Sequence, residues 1–295
     1  MAKLRVVRRR IRSVQSTMKI TRAMELIAAS RIVKAQQRVE SARPYAELLT
    51  RAMEDVARQT GALVHPLLEE RERVERAGVL VVTSDRGLAG SYNSNILRLA
   101  ETLMDEIRAR GVEPVTYVSG KKGISYFRFR GVPIEAEWSG FSEVPPFSAA
   151  HDIGGRLIDD FAGRRIDELH TVYTDFRSAF TLRVARKRFL PVAPHELHDV
   201  KGRPHPEYLF EPAPAAILDE LLPQYVITKV YAALLESAAS ENAARRRAMK
   251  AATDNADELV KILTRQANRA RQDEITTEIM EIVGGAEALS QSTGE

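Results

Sequence analysis

Residues 4–56 read LRVVRRRIRSVQSTMKITRAMELIAASRIVKAQQRVESARPYAELLTRAMEDV, and their spacing decides the fold. Counting sevens from Leu4 gives a seam of Leu4, Val7, Ile11, Val14, Met18, Thr21, Glu25, Ala28, Ile32, Ala35, Val39, Ala42, Ala46, Leu49, Met53 and Val56. Only Thr21 and Glu25 interrupt its apolar character. A heptad pattern sustained this long describes a helix whose narrow apolar stripe faces another helix in a supercoil. Pro44 is expected to kink the helix rather than end it, because the pattern resumes in phase beyond it.

A second seam supplies the partner. From about Ala215 it runs through Leu218, Leu221, Tyr225, Thr228, Ala232, Leu235, Ala239, Asn242, Arg246, Met249, Thr253, Ala256, Val260, Leu263, Ala267 and Ala270. Its alanines allow two helix axes to approach closely, Asn242 and Arg246 are polar register positions, Pro223 should bend the first turns, and Gly284 with Gly285 is the expected stop. The N- and C-terminal helices are expected to form one long antiparallel coiled coil, in which facing residue numbers total about 272, so Ala28 lies opposite a residue near 244 and Met1 opposite Arg271. About 17 residues then extend beyond the pair, roughly 25 Å of helix. They carry Ile275, Ile279, Ile282 and Val283 on one face with no partner from the same chain.

Between the seams the period changes. The run Val79 to Val82 has the character of a strand buried on both faces, and Asn93 to Arg110 reads as an amphipathic helix. A strand at Val115–Val118, a helix near Gly123–Phe129, a short strand at Val132–Glu135, a helix around Ala149–Phe161 and strands at Leu169–Thr174 and Thr181–Val192 follow. Alternating strands and helices specify an α/β domain of Rossmann-like type with a mostly parallel sheet. The expected organisation is an N-terminal coiled-coil helix over 1–57 and a central α/β domain over 77–200. A proline-rich connection over 201–214, a C-terminal coiled-coil helix over 215–288 and a disordered tail over 289–295 complete it.

Composition narrows the chemistry. Across 295 residues the hydrophobic fraction is 44% and aromatics only 6%, a balance that favours helix. No apolar run approaches the ~18 residues that span a bilayer, and no hydrophobic segment of signal-peptide type opens the chain. Without cysteine there is no disulfide, thiolate metal site or thiol switch. Lys3, Arg5, Arg8, Arg9, Arg10, Arg12, Lys19 and Arg22 precede the first acid, Glu25. Such a block suits nucleic acid, a transit peptide, an acidic protein surface or plain solvent. Because it lies in phase within the heptad pattern, it belongs to the working helix and the transit-peptide reading falls away.

Catalytic signals are weak. The segment Thr83-Ser84-Asp85-Arg86-Gly87-Leu88-Ala89-Gly90 sits at a strand-to-helix turn, where some folds hold phosphate, but it matches neither the dinucleotide fingerprint nor a Walker sequence. A tight turn is the favoured use of its glycines. Gly120-Lys121-Lys122-Gly123 is similar to a phosphate loop in composition alone. His195, His198 and His205, with Glu196 and Asp199, match no helix-borne zinc spacing. No cofactor and no catalytic residue is expected.

Three separated stretches carry a family resemblance: residues 13–30 (SVQSTMKITRAMELIAAS), Ser84 to Gly90, and residues 248–256 (AMKAATDNA). In this order they resemble the gamma subunits of F-type ATP synthases. The resemblance implies a non-catalytic shaft between a ring of alpha and beta subunits and a membrane ring of c subunits, with epsilon and delta as further partners, on the cytoplasmic face of the membrane. It implies contacts to the catalytic subunits at Lys19, Arg22, Met24, Arg245, Arg271, Gln272, Thr276 and Glu278, and contacts to epsilon and the membrane ring at Tyr208, Phe210 and Glu211. The alternatives are a basic coiled coil binding nucleic acid, and a nucleotide-dependent enzyme built on the central domain.

Overall fold

A computed structural model describes residues 2–60, 65–176, 182–193 and 214–292. Among these residues ten elements follow one another: α1 (Ala2–Thr60), β1 (Arg76–Val82), α2 (Tyr92–Ala109), β2 (Glu113–Ser119), α3 (Lys121–Phe129), β3 (Ala136–Trp138), α4 (Phe147–Ala162), β4 (Glu168–Phe176), β5 (Leu182–Leu190) and α5 (Pro214–Ser292). The chain forms two compact units, Met1–Ile27 with Arg246–Glu295, and Ala28–Arg245.

In the larger unit the sheet has the order β3-β2-β1-β4-β5. Strands β3, β2, β1 and β4 are parallel neighbours, and only β5 runs antiparallel, on the edge beside β4. The unbroken apolar run of β1 follows from its place at the centre. Val79 and Val81 face a core with Ile96, Leu103 and Ile107 of α2 and Phe127 of α3. Leu80 and Val82 face the opposite core, with Ile153, Leu157 and Phe161 of α4. Leu49, Met53 and Val56 of α1 and Leu218, Leu222 and Val226 of α5 join that second core. Late α1 therefore meets early α5, the antiparallel sense expected of the two seams. Both Pro44 and Pro223 lie inside continuous helices.

The expected strand at Val132–Glu135 is displaced to Ala136–Trp138. After Gly131 turns the chain at φ +69, Val132 donates back to the Phe127 carbonyl and Glu135 N–H reaches the Thr116 carbonyl. Pairing with Tyr117 starts only at Ala136. Val132 and Ile134 are apolar because they cover the α2–α3 core, not because they form a ladder. At the other edge β5 ends at Leu190, since Pro191 has no N–H to continue it.

The smaller unit pairs the first part of α1 with the second part of α5. Thr21, one of the two interruptions in the first seam, meets Thr253 with their hydroxyls 2.7 Å apart, within about two residues of the expected register. Each threonine is also close to its own helix, through the Met18 and Met249 carbonyls, so the polar break is satisfied. Met249, Ala256, Leu263 and Ala267 are buried along the α5 seam. The glycine pair does not stop α5, which continues to Ser292. Gly284 lacks the left-handed backbone of a helix cap, and the Ala-Glu-Ala-Leu run after it favours helix, so each glycine costs only about 1 kcal/mol.

Candidate coupling surface

At the end of β1 the chain makes the turn that sequence marked as a possible phosphate loop. Its anion position is filled from within. The Asp85 carboxylate accepts N–H bonds from Lys121 at 3.1 Å, Gly140 at 2.8 Å and Ser142 at 2.9 Å, while the Asp85 N–H donates to the Ser142 hydroxyl at 2.9 Å. Burial pushes this carboxyl up, but the three backbone donors outweigh it and hold it below its usual range. Lys121 opens α3, so its N–H is the sort of group a phosphate would need there. Gly120 is required by close approach: at φ +102, a Cβ would stand 2.3 Å from the Thr83 carbonyl oxygen.

The segment that Asp85 secures presents Glu143. Its carboxylate meets Arg31 of α1 at 2.5 Å, Arg86 of the β1 turn at 3.5 Å and Arg245 of α5 at 3.5 Å. Arg245 also donates to Glu241 at 2.5 Å and to the Gly87 carbonyl at 3.3 Å. The Arg245 and Glu241 side chains are 6% and 1% exposed, so this group lies inside the unit. Burial raises the Glu241 carboxyl, with Arg245 opposing the rise.

The residues expected to touch catalytic subunits divide by this geometry. Lys19 and Arg22 are exposed on α1 and Met24 is half-buried beside them. Arg271, Gln272, Thr276 and Glu278 are exposed on α5. Arg245 departs from the expectation, being turned inward onto Glu241 and Glu143. Its neighbour Arg246, placed by the heptad count in the seam, is exposed instead. From Val226 to Arg245 almost every α5 residue is buried or half-buried, so heptad position alone does not select which arginine is enclosed; the two carboxylates do. Tyr208, Phe210 and Glu211 lie outside the described residues, as do His195, His198 and His205, their neighbours Glu196 and Asp199, and the connection over 201–213.

Toward the end of α5, Ile275 is 45% exposed, Ile279 55% and Ile282 72%. In the larger unit, α1, α5 and the start of α4 line a mostly apolar, half-open cleft of about 500 Å3, walled by Val39, Ala42, Tyr45, Phe147, Tyr231 and Leu235 among others. Among the described residues no acidic or histidine cluster could hold a metal, and no helix is long and apolar enough to cross a membrane.

The family described as ATP synthase matches residues 3–289. The chain is 54% identical over 299 residues to the ATP synthase gamma chain of Acidothermus cellulolyticus, covering 100% of this chain and 99% of that protein. It is 55% identical to the gamma chain of Frankia casuarinae over 98% and 99% of the two chains, and 51% identical to that of Mycolicibacterium smegmatis over 99% of each. Among solved structures, the central stalk and c-ring of the Tetrahymena thermophila mitochondrial ATP synthase contains a chain 26% identical, with TM-score 0.59, covering 79% of this chain and 99% of that one. A chain of the Euglena gracilis mitochondrial ATP synthase, in an assembly of OSCP, F1 and c-ring, aligns over 100% of this chain and 97% of its own with TM-score 0.69. At 15% identity that second likeness speaks for the fold alone.

Proposed function

The chain belongs to the ATP synthase gamma-chain family, and on that footing we infer that its helix pair turns as the central shaft of an F-type ATP synthase, coupling ion flow through the membrane ring to ATP synthesis or hydrolysis at the alpha and beta subunits. It is a non-catalytic subunit, peripheral to the membrane as part of the complex. Its partners are the alpha, beta, epsilon and delta subunits and the ring of c subunits. The nucleic-acid and nucleotide-enzyme alternatives lose their support, the first because the basic block sits on a family shaft helix, the second because Asp85 fills the turn.

The observation that carries this reading is the paired helices, matched to the gamma chains of relatives over essentially the whole sequence. The mechanism follows from asymmetry. Two unequal helices have no threefold axis, so three equivalent catalytic interfaces around them meet three different faces. Each face favours a different open or closed state by differential contact, and turning the shaft exchanges the states in order. We assign the contacts with the ring to Lys19, Arg22 and Met24 on α1 and to Arg271, Gln272, Thr276 and Glu278 on α5. Arg8, Arg9, Arg10 and Arg12 supply the positive charge that an acidic loop of the beta subunits would meet. The foot toward epsilon and the membrane ring is assigned to Tyr208, Phe210 and Glu211, with the complex on the cytoplasmic face.

The experiment uses the native lack of cysteine. A disulfide from Arg271→Cys to a cysteine placed in a facing beta subunit should stop ATP hydrolysis by the assembled complex, and reduction should restore it. Undiminished turnover with the bond formed throughout the population would overturn the shaft reading. So would robust ATP hydrolysis by the purified chain without alpha and beta.

A further inference from the structure

The turn Ser84–Gly90 and the segment Gly140–Glu143 are left without a role by the shaft reading, although both are built with care. Their connections lead to the same place. Asp85 fixes the second segment through the Gly140 and Ser142 N–H groups, and that segment carries Glu143. Arg86, next to Asp85, returns to Glu143, and the carbonyl of Gly87 receives Arg245. Glu143 then holds Arg31 on one long helix and Arg245 on the other. Arg31 is the first charged residue of α1 within the larger unit, which α1 enters at Ala28, and Arg245 is the final residue of α5 within it. The three arginines therefore converge where both helices are about to leave the α/β domain.

We propose that Glu143, held by Asp85 and the Ser84–Gly90 turn, is a torque joint: it ties both shaft helices to the α/β domain, so that rotation of the domain is delivered to both helices together. The proposal rests on the shaft reading and adds a residue-level route for its torque. Apolar packing resists separation of the helices from the domain, but it is non-directional and tolerates sliding. Glu143 meets Arg31 at 2.5 Å and lies 3.5 Å from Arg86 and Arg245, so its charge sits between the two helices and opposes displacement of either one, in twist as well as in separation. Its position matters too. A tie at the exit point leaves no free length of helix inside the domain to wind up before torque passes on.

The test compares parent and Glu143→Gln complexes, each with its membrane ring. A bead on the α/β domain reports thermal angular fluctuation while the shaft tip is held by the Arg271→Cys disulfide to a beta subunit. Loss of the shared charge should widen the angular variance on the order of twofold, since Arg31 and Arg245 are then left with no carboxylate in common. ATP-driven ion transport per ATP hydrolysed should fall, while hydrolysis by the detached alpha, beta and shaft assembly stays close to the parent rate. Unchanged variance in an assembled Glu143→Gln complex overturns the proposal, even if its melting temperature falls, because a merely structural role would move stability alone. If that variant does not assemble, Arg31→Gln decides by the same variance, since Arg31 is partly exposed and its loss leaves the domain core intact. Failure of the parent complex to rotate would instead strike at the shaft reading.

Discussion

Single residues decide how the central turn is used. Gly120 and Gly87 both sit in glycine-bearing segments that resemble phosphate loops, yet their surroundings differ. A methyl at Gly120 runs into the Thr83 backbone, while one at Gly87 would meet only the flexible end of the Lys122 side chain, Cε at 3.6 Å and Nζ at 3.7 Å. Gly120→Ala should therefore cost about 2–4 kcal/mol, and Gly87→Ala less than about 0.5 kcal/mol, in urea unfolding of the purified chain. Glu236 offers a pH signature. Burial first, then the neighbouring Asp175, push its carboxyl up to about 7 from an ordinary 4.5, against the opposing pull of Lys187. The folded chain thus keeps a proton that the unfolded chain releases above 4.5, so this site weakens the fold as pH rises from about 4.5 to about 7. Glu236→Gln should raise the melting temperature at pH 8 and flatten its decline across that window. A variant that melts lower than the parent at pH 8 would contradict this origin.

Elements carry the register. The heptad count places Thr21 in the seam as an imperfection, and the fold makes it one half of a threonine pair with Thr253. That pair is the better place to test the helix register than Ala28 with a residue near 244, because Arg245 is committed to Glu241 and Glu143. Thr21→Cys with Thr253→Cys should close a disulfide under mild oxidation, seen as a mobility shift on non-reducing gels. Hydrolysis by the assembled complex should survive the bond, since a rigid shaft needs no motion between its helices at this height. A bond that forms but abolishes turnover would mean that the helices slide during rotation. The displaced β3 belongs to this scale as well. Val132 and Ile134 alternate as a strand would, yet the carbonyl of Phe127 captures Val132 before any ladder begins.

At the scale of the whole molecule, the end of α5 carries apolar side chains that its own chain leaves exposed. Ile275→Glu with Ile279→Glu should leave the isolated chain folded, because both sites are exposed, but weaken its co-elution with alpha and beta subunits. Normal assembly and normal coupled synthesis would contradict a sleeve around this end. The helices and the α/β order were legible in the chain, because heptad spacing and strand-helix alternation are short-range periodicities that write themselves along one dimension. The family motifs were legible for the same reason, being contiguous. What only the tertiary structure decided are contacts between residues far apart in sequence. These are Asp85 with Gly140 and Ser142 in place of a phosphate, Arg245 rather than Arg246 turned inward, and Glu143 between two helices. Such choices depend on which carboxylate or amide the packed elements bring within reach, and the period of a helix specifies the face a side chain occupies without naming the partner that waits there.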